Sequence, residues 1–283
     1  MRTFRTLSKS GTHTMNMTAK LLFPAVAAAL LCAASAQAFE AHDDGNDGKY
    51  VPEDSWMGIN GGSGFSEWTA WTDTTGKPIE SSFQDGSHAG TTNWGDFTLS
   101  VEGGEVVAGR DLEDAGEKVA LKTGSFSVLG WLHPGDDDVF LGFAVYDAAH
   151  RELLRWGVLD DGGNRLHGMV YRSGDGDYQS LEEGEPGDGY LAYTLTWDCL
   201  TGGLQFTLSA EDAWGEFEWS GQKISVAEAS SVGGVAVIAG AKEGSKATLA
   251  FDQLSVQGTE VPEPGTLGLL AAGMALLAGR RRG

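Results

Sequence analysis

Cysteine is almost absent from this sequence, which has only Cys32 and Cys199 among 283 residues. Cys32 lies in an apolar N-terminal stretch with the composition of a cleavable export signal, so the rest of the chain holds one cysteine. A single cysteine excludes an intramolecular disulfide, and the fold must therefore rely on a hydrophobic core. Cys199 stands in phase with apolar residues at alternate positions, which predicts a small inward-facing side chain rather than a nucleophile.

Basic residues are also scarce, with 19 Lys and Arg against 40 Asp and Glu and a formal net charge of −21. Seven of the basic residues lie in the first 38 and the last 23 positions, so residues 39–260 carry 12 basic and 39 acidic side chains. Without a basic stripe to neutralise phosphates, the composition argues against nucleic-acid binding. A charge of this size and sign favours a soluble protein that is repelled by anionic surfaces.

Common catalytic motifs are missing: there is no Gly-x-Ser-x-Gly elbow, phosphate-binding loop or dinucleotide fingerprint, and the histidines lack metal-ligand spacing. The weak catalytic candidates are Glu216 and Glu218, which would share one face of a strand. Neighbours at i and i+2 lie near the roughly 5–5.5 Å between the carboxylates of retaining glycosidases. A charged, solvent-facing strand explains the pair more simply, and we predict that the protein is not an enzyme.

Glycine and alternating apolar residues are abundant. The 42 glycines separate short runs in which apolar and polar residues alternate, the period of a half-buried strand. The clearest example is residues 190–208, which predict a hairpin with its turn at 201–203 and Trp197 facing inward. The alternation slips at 252–253 and predicts a bulge. We predict an all-β, two-sheet jelly-roll sandwich of eleven or twelve strands over 80–258, preceded by a flexible polar arm at 39–79.

Two patterns within this region resemble a known type of sandwich. The hairpin reads Tyr-x-Leu-Thr-x-Asp-x-x-Thr-Gly from Tyr193, and the last strand reads Ala-Phe-Asp-x-Leu-Ser-Val from Ala250. Both are similar to the concanavalin A/laminin G type of β-sandwich. That fold hosts lectins, glucanases, lyases and adhesion modules, so the resemblance implies an architecture and not an activity.

The N-terminus has the parts of an export signal. Lys20 precedes an apolar stretch at 21–34, and Ala36-Gln37-Ala38 provides a small-x-small cleavage pattern. We predict a signal peptide at 1–38 that forms a helix and is removed by signal peptidase after Ala38. Met15 and Met17 are alternative starts.

The C-terminus carries a second signal. Pro262-Glu263-Pro264 is followed by an uncharged stretch at 265–279 and by Arg280-Arg281-Arg282. As a helix, 265–279 is about 22 Å long and predicts a short transmembrane segment with its arginines in the cytoplasm.

The order of these parts resembles the PEP-CTERM sorting signal, here 261–283. The resemblance implies processing by an exosortase and transient residence in the inner membrane. It also implies a final place at the cell surface or in the extracellular matrix of a Gram-negative bacterium, beside exopolysaccharide.

Tryptophans and carboxylates supply the binding candidates. Flat exposed indoles stack on sugar rings, and four tryptophans lie in polar, glycine-rich surroundings where exposure is expected: Trp56, Trp68, Trp71 and Trp94. Two acidic loops are weak candidates for calcium, with solvated loops as the alternative: Asp136, Asp137 and Asp138 in one, Asp175 and Asp177 in the other.

The sequence therefore predicts an exported, non-catalytic module that contacts glycan or serves a structural role, with extracellular polysaccharide as a partner. A glycoside hydrolase or polysaccharide lyase on the same scaffold is one alternative. An ice-binding protein is another, since tails of this kind also occur on some ice-binding proteins. That activity usually needs a flat array of regularly spaced threonines, whereas Thr69, Thr72, Thr74 and Thr75 have no period.

Overall fold

The computed structural model describes residues 38–45, 48–85, 95–132, 136–161, 167–174, 176–183, 191–200, 202–212, 218–227 and 229–260. All regular elements in these ranges are β-strands, and the strands within these ranges pair antiparallel. The all-β prediction is confirmed. The predicted signal helix, the predicted transmembrane segment 265–279 and both processing sites except Ala38 lie outside the described residues. Within the described ranges, no helix has the length and apolar character needed to cross a membrane.

Fifteen strands make up the described fold, more than the eleven or twelve that the sequence predicts, and two of them lie before residue 80, where the predicted sandwich begins. They are β1 (Ala38–Asp43), β2 (Thr69–Asp73), β3 (Glu80–Asp85), β4 (Gly95–Asp111), β5 (Glu113–Asp114), β6 (Glu117–Lys118), β7 (Leu121–Leu132), β8 (Val139–Tyr146), β9 (Glu152–Asp160), β10 (His167–Ser173), β11 (Gln179–Glu183), β12 (Leu191–Leu200), β13 (Gly203–Asp212), β14 (Glu218–Ala227) and β15 (Gly234–Glu260).

Two long strands fold the hydrogen-bonded sheet into two layers. β4 bends at Gly103 and Gly104, whose φ angles are 69° and 82°, and β15 shifts register between Ala241 and Lys246. The first layer has the order β11-β10-β9-β8-β15-β4-β2, and the second has β3-β4-β15-β7-β12-β13-β14 with β1 beside the end of β15. Strands that pass from one layer to the other at a bend are typical of sandwich corners.

The core lies between the layers and follows the predicted alternation. Inward positions of both layers supply its largest side chains, among them Phe126, Phe143, Trp156, Trp197 and Phe251. The 190–208 hairpin is confirmed: β12 and β13 pair in continuous register from Leu191↔Asp212 to Leu200↔Gly203. Cys199 is half-buried and packs against the core. The bulge is confirmed as well, by a register shift between Asp252 and Ser255 and a φ of 52° at Gln253.

The prediction of a flexible arm at 39–79 is wrong. β1 pairs with the last part of β15 from Ala38↔Thr259 to Asp43↔Leu254, and one compact unit spans Ala38–Val261. Trp56 and Trp68 from this segment are fully buried and pack edge-to-face on Phe251. Local sequence is polar here, but its few aromatic residues complete the core.

A buried ion pair holds this segment in place. Arg110 on β4 is fully buried and binds the carboxylate of Asp43 on β1, which also accepts a hydrogen bond of 2.6 Å from the Tyr50 hydroxyl. The remaining guanidinium nitrogens donate to Ser66 O at 2.6 Å and Gly61 O at 2.8 Å. Burial lowers the pKa of Arg110, and the charge of Asp43 opposes that shift.

Candidate functional site

The outer face of the first layer is roofed by aromatic and charged side chains. Its floor is a small apolar cluster that includes Val107, Ala144 and Ala236. Above this floor lie Trp71, Tyr178 and a set of arginines and glutamates. We call this surface the roofed face.

Trp71 lies flat on the roofed face with both sides of its ring covered. A Cβ added to Gly109 would lie 2.4 Å from the indole, and one added to Gly234 would lie 2.7 Å from it, so the ring rests directly on two backbone segments. On the opposite side the imidazole of His150 stacks at a centroid distance of 4.3 Å and an interplanar angle of 21°. Trp71 is half-buried, and neither side of its ring faces solvent in this arrangement.

Arg155 is the centre of the charges on the roofed face. Its buried guanidinium donates to Glu105 Oε2 at 2.6 Å and to Glu152 Oε2 at 2.7–2.9 Å, and Arg172 binds Glu152 Oε1 at 2.8 Å. Burial alone would lower the pKa of Arg155, but hydrogen bonds from its side chain to Glu105 and the nearby negative charges raise it overall. The Arg172 guanidinium lies 5.1 Å from the ring centre of Tyr178, whose other neighbour is Phe140. The face is therefore a closed, charge-balanced network.

The outer face of the second layer is different, because its side chains are mostly hydroxyls. They occupy alternate positions of six neighbouring strands, and all are half-buried or exposed: Ser82, Thr98, Ser100, Thr123, Ser125, Ser127, Thr194, Thr196, Thr207, Ser209, Thr248, Ser255 and Thr259. We call this set the hydroxyl face.

Strand register aligns these hydroxyls into rows. One row runs Ser255–Ser127–Thr194–Ser209 and the next runs Ser125–Thr196–Thr207, each step crossing from one strand to its neighbour. Strand geometry places the residues of a row about 4.8 Å apart and neighbouring rows roughly 6.7 Å apart. The result is a regular lattice of groups that both donate and accept hydrogen bonds.

Many of these hydroxyls bind one another across strands. The oxygen–oxygen distance is 2.8 Å in Ser127–Ser255, Thr123–Thr259 and Ser100–Thr248, and 2.6 Å in Ser82–Thr98. A paired hydroxyl has its position fixed and still keeps free lone pairs. The pairs therefore present an ordered polar surface without charge.

Few charged side chains lie on the hydroxyl face. The two rows contain none, but Lys223 pairs with Thr207 at the end of the second row, and the buried Asp252 pairs with Leu129 between Thr248 and Ser255. Glu40, Lys122, Asp198 and Glu211 lie beyond the rows. In a chain of net charge −21, this leaves one broad neutral surface. Such a surface fits an uncharged partner better than an anionic one.

Two of the four predicted stacking tryptophans are buried in the core. Trp56 and Trp68 are 0% and 1% exposed, so the prediction that they face solvent is wrong. Trp71 does lie on an outer face but is covered by His150, and Trp94 lies outside the described residues. Polar, glycine-rich neighbours in the sequence therefore do not show whether a tryptophan is exposed or buried.

The acidic candidates lie apart or have other partners. Asp136 accepts a hydrogen bond of 2.8 Å from the backbone N–H of Lys246, and Asp138 binds the ammonium of Lys242 at 2.8 Å, so both support the bend of β15. Asp137 and Asp177 are exposed. Across the described ranges, no three His, Cys, Asp or Glu residues are grouped to hold a metal ion.

The structure does not describe the side chains of the three remaining candidates. Asp175 and Glu216 lie beyond the described residues, and Glu218 is described only by its backbone in β14. Calcium binding at Asp175 and catalysis by Glu216 and Glu218 therefore stay predictions.

Solved structures show only distant similarity to this chain. Cellulose-induced protein Cip1 is 14% identical with a TM-score of 0.43, over 67% of this chain and 90% of that one. The CBM2 module of the evolved Dit of Lactobacillus casei BL23 phage J-1 is 11% identical with a TM-score of 0.42, over 80% and 98%. Peanut lectin is 10% identical with a TM-score of 0.35, over 64% and 98%. The all-β assignment rests on the strand pairing of this chain itself.

The C-terminus gives a specific match. No curated protein sequence matches the chain significantly. Residues 260–282, however, match the PEP-CTERM protein-sorting motif, which contains the Pro-Glu-Pro triplet and the terminal arginines. The motif begins where β15 ends, at Glu260. The chain therefore carries a PEP-CTERM sorting motif, the mark of a bacterial protein that is exported and processed by an exosortase.

Proposed function

We propose that this protein is a non-catalytic component of the cell surface or extracellular matrix that contacts extracellular polysaccharide through its hydroxyl face. The observation that carries the proposal is the ordered lattice of Ser and Thr hydroxyls on the second layer. A polysaccharide chain presents hydroxyls along its whole length, and a matching lattice can exchange hydrogen bonds with many of them at once. Each bond contributes little, so affinity comes from the number of contacts.

The partner we propose is a neutral, extended polysaccharide. The rows from Ser255 to Ser209 and from Ser125 to Thr207 are uncharged, whereas the protein as a whole is strongly acidic. An acidic polysaccharide would be repelled by the surrounding carboxylates and would find no cation within the rows. A neutral polysaccharide is not repelled by the carboxylates and does not need a cation for binding.

The carboxylates of the roofed face favour binding over hydrolysis. Glu105 and Glu152 are the most enclosed glutamates of that face, and both bind the guanidinium of Arg155. Glycoside hydrolysis needs one carboxyl group that is protonated and can donate to the leaving group. Here both carboxylates already accept hydrogen bonds from the Arg155 guanidinium, which occupies oxygens that would have to face a substrate.

Co-sedimentation of residues 39–260 with insoluble polysaccharides tests the proposal. We expect retention on neutral polymers such as a β-glucan or a mannan and little on alginate. Thr196→Glu places a charge in the middle of a row and should weaken binding to the neutral polymer at least tenfold, about 1.4 kcal/mol. Thr69→Glu makes the same change at an exposed threonine of β2 in the other layer and should leave binding unchanged.

Either of two results would contradict the proposal. Folded protein that sediments with no polymer in the panel would exclude polysaccharide contact. Equal loss in Thr196→Glu and Thr69→Glu would show that the hydroxyl face is not the surface involved.

Ice binding is a second candidate function, and the same lattice favours it. The threonines around Thr69–Thr75 have no period along the chain, but the hydroxyl face has rows of Ser and Thr across strands. If ice is the partner, wild-type protein shows thermal hysteresis and ice-crystal shaping that Thr196→Glu abolishes. Wild-type protein that leaves the freezing point and crystal shape unchanged would remove this candidate.

A further inference from the structure

We propose that Trp71 and His150 form a second binding site, for a single neutral pyranose ring, in which the imidazole of His150 occupies the place of the sugar. This site is on the roofed face and is independent of the hydroxyl face. The geometry points to it through three features. The indole has a seat, the two backbone segments on which it rests. It has a cover, the imidazole of His150, which can rotate away, and polar groups lie at the edge of that cover.

The seat is specific to an aromatic ring. Gly109 on β4 and Gly234 on β15 lie diagonally across the strand pair, since Gly109 pairs with Ala236 and Gly234 with Asp111, and a Cβ at either glycine would overlap the Trp71 ring. Tyr146 supports the ring from the side at a centroid distance of 4.8 Å. The indole is therefore held flat and parallel to the sheet, the orientation in which an aromatic ring stacks on a sugar.

The cover is a single surface side chain, held by its stacking on Trp71 and by one hydrogen bond to Asp111. His150 lies in the β8–β9 turn with a left-handed φ of 59°, a conformation that non-glycine residues adopt only when contacts hold them there. Its side chain is 37% exposed and stacks on the outer side of Trp71. Rotation of this one side chain would uncover the whole outer side of the indole.

The polar groups beneath the cover suit a sugar. His150 Nε2 lies 2.7 Å from Asp111 Oδ1, and the second carboxylate oxygen of Asp111 binds the ammonium of Lys118 at 2.8 Å. When His150 moves away, Asp111 Oδ1 loses that partner while Lys118 keeps the carboxylate in place. A pyranose ring stacked on Trp71 would then offer its hydroxyls to a fixed, mostly buried acceptor, as His150 does now.

Removal of the cover tests this site. The indole N–H resonance of Trp71 is followed by NMR during titration with the methyl glycosides of glucose, galactose and mannose. His150→Gly deletes the imidazole and suits the left-handed backbone, and we expect it to bind at least one glycoside at least tenfold more tightly than wild type. Ala149→Gly changes the same turn but keeps His150 and should behave as wild type.

The outcomes separate this site from the hydroxyl face. Adding Trp71→Leu to His150→Gly should abolish glycoside binding while retention on the neutral polymer stays intact. His150→Ala serves as a second uncovering variant should His150→Gly fold poorly. The proposal is overturned if no glycoside shifts the Trp71 resonance in either uncovered variant, or if Trp71→Leu leaves the binding unchanged.

Discussion

Replacement of Asp43 by alanine is expected to lower the free energy of unfolding by about 3–5 kcal/mol, the usual cost of leaving a buried charge without its partner. Asp43 is 1% exposed and is the carboxylate bound to the fully buried Arg110. The variant also removes the acceptor of the Tyr50 hydroxyl. Urea unfolding followed by circular dichroism measures the effect.

An exposed ion pair provides the matched control. Glu102 binds Lys77 at 3.2 Å, with the two side chains 64% and 52% exposed, and Glu102→Ala should cost no more than about 1 kcal/mol. If both variants lose the same small amount, water or another residue must compensate Arg110, and β1 is not held by this pair. If only Asp43→Ala lowers the free energy of unfolding by several kcal/mol, then the contacts of β1 contribute to the stability of the whole domain.

The strands of the main fold could be predicted because each shows the alternation of apolar and polar residues within its own sequence. In β12 the inward positions Leu191, Tyr193, Leu195 and Trp197 alternate with polar residues, and a glycine turn follows at once. The layer arrangement could not be predicted in the same way. It depends on two bends, at Gly103-Gly104 and near Gly244, and a glycine in a strand pattern does not say in which direction the chain turns.

The N-terminal segment shows why local composition misleads. Residues 44–68 are polar and rich in glycine, which is typical of a linker, yet Trp56 and Trp68 are fully buried. Their partners Phe97 and Phe251 are far away in sequence, so no window around position 60 contains the information. The same limit applies to Asp43 and Arg110, which are 67 residues apart.

The hydroxyl face was visible in the sequence but only as fragments. Thr123, Ser125 and Ser127 alternate in β7, and Thr194 and Thr196 alternate in β12. Each fragment alone indicates the solvent side of a strand. The lattice appears only when register places Ser127 between Ser255 and Thr194, and register is a property of pairs of strands.

Raising the pH above about 10 is expected to unfold the domain steeply. Burial raises the pKa values of Tyr50, Tyr146, Tyr178 and Tyr193, and at the first two a neighbouring carboxylate raises them further. Unfolded tyrosines ionise near pH 10, whereas these four stay protonated in the folded state. Above pH 10 the folded state therefore holds more protons than the unfolded state, and stability falls as pH rises.

The expected slope is large. Four protons correspond to a loss of about 5.5 kcal/mol for each pH unit above the unfolded pKa, against a typical domain stability of roughly 5–15 kcal/mol. Unfolding should be complete within about one to three pH units, and the phenolate absorbance should rise together with the loss of the circular dichroism signal. The stability gained from these protonated groups is fully present below pH 10 and is lost only above it.

Tyr193→Phe is the variant that checks the cause. The Tyr193 hydroxyl is buried with no hydrogen-bond partner among the described residues, and burial is the cause that raises its pKa. Phenylalanine keeps the ring and removes a hydroxyl without a partner, so stability at neutral pH should stay the same or rise by about 1 kcal/mol. The alkaline slope should fall by about a quarter, since one proton in four no longer contributes. Tyrosines that ionise while the circular dichroism signal stays native would show that burial does not keep them protonated.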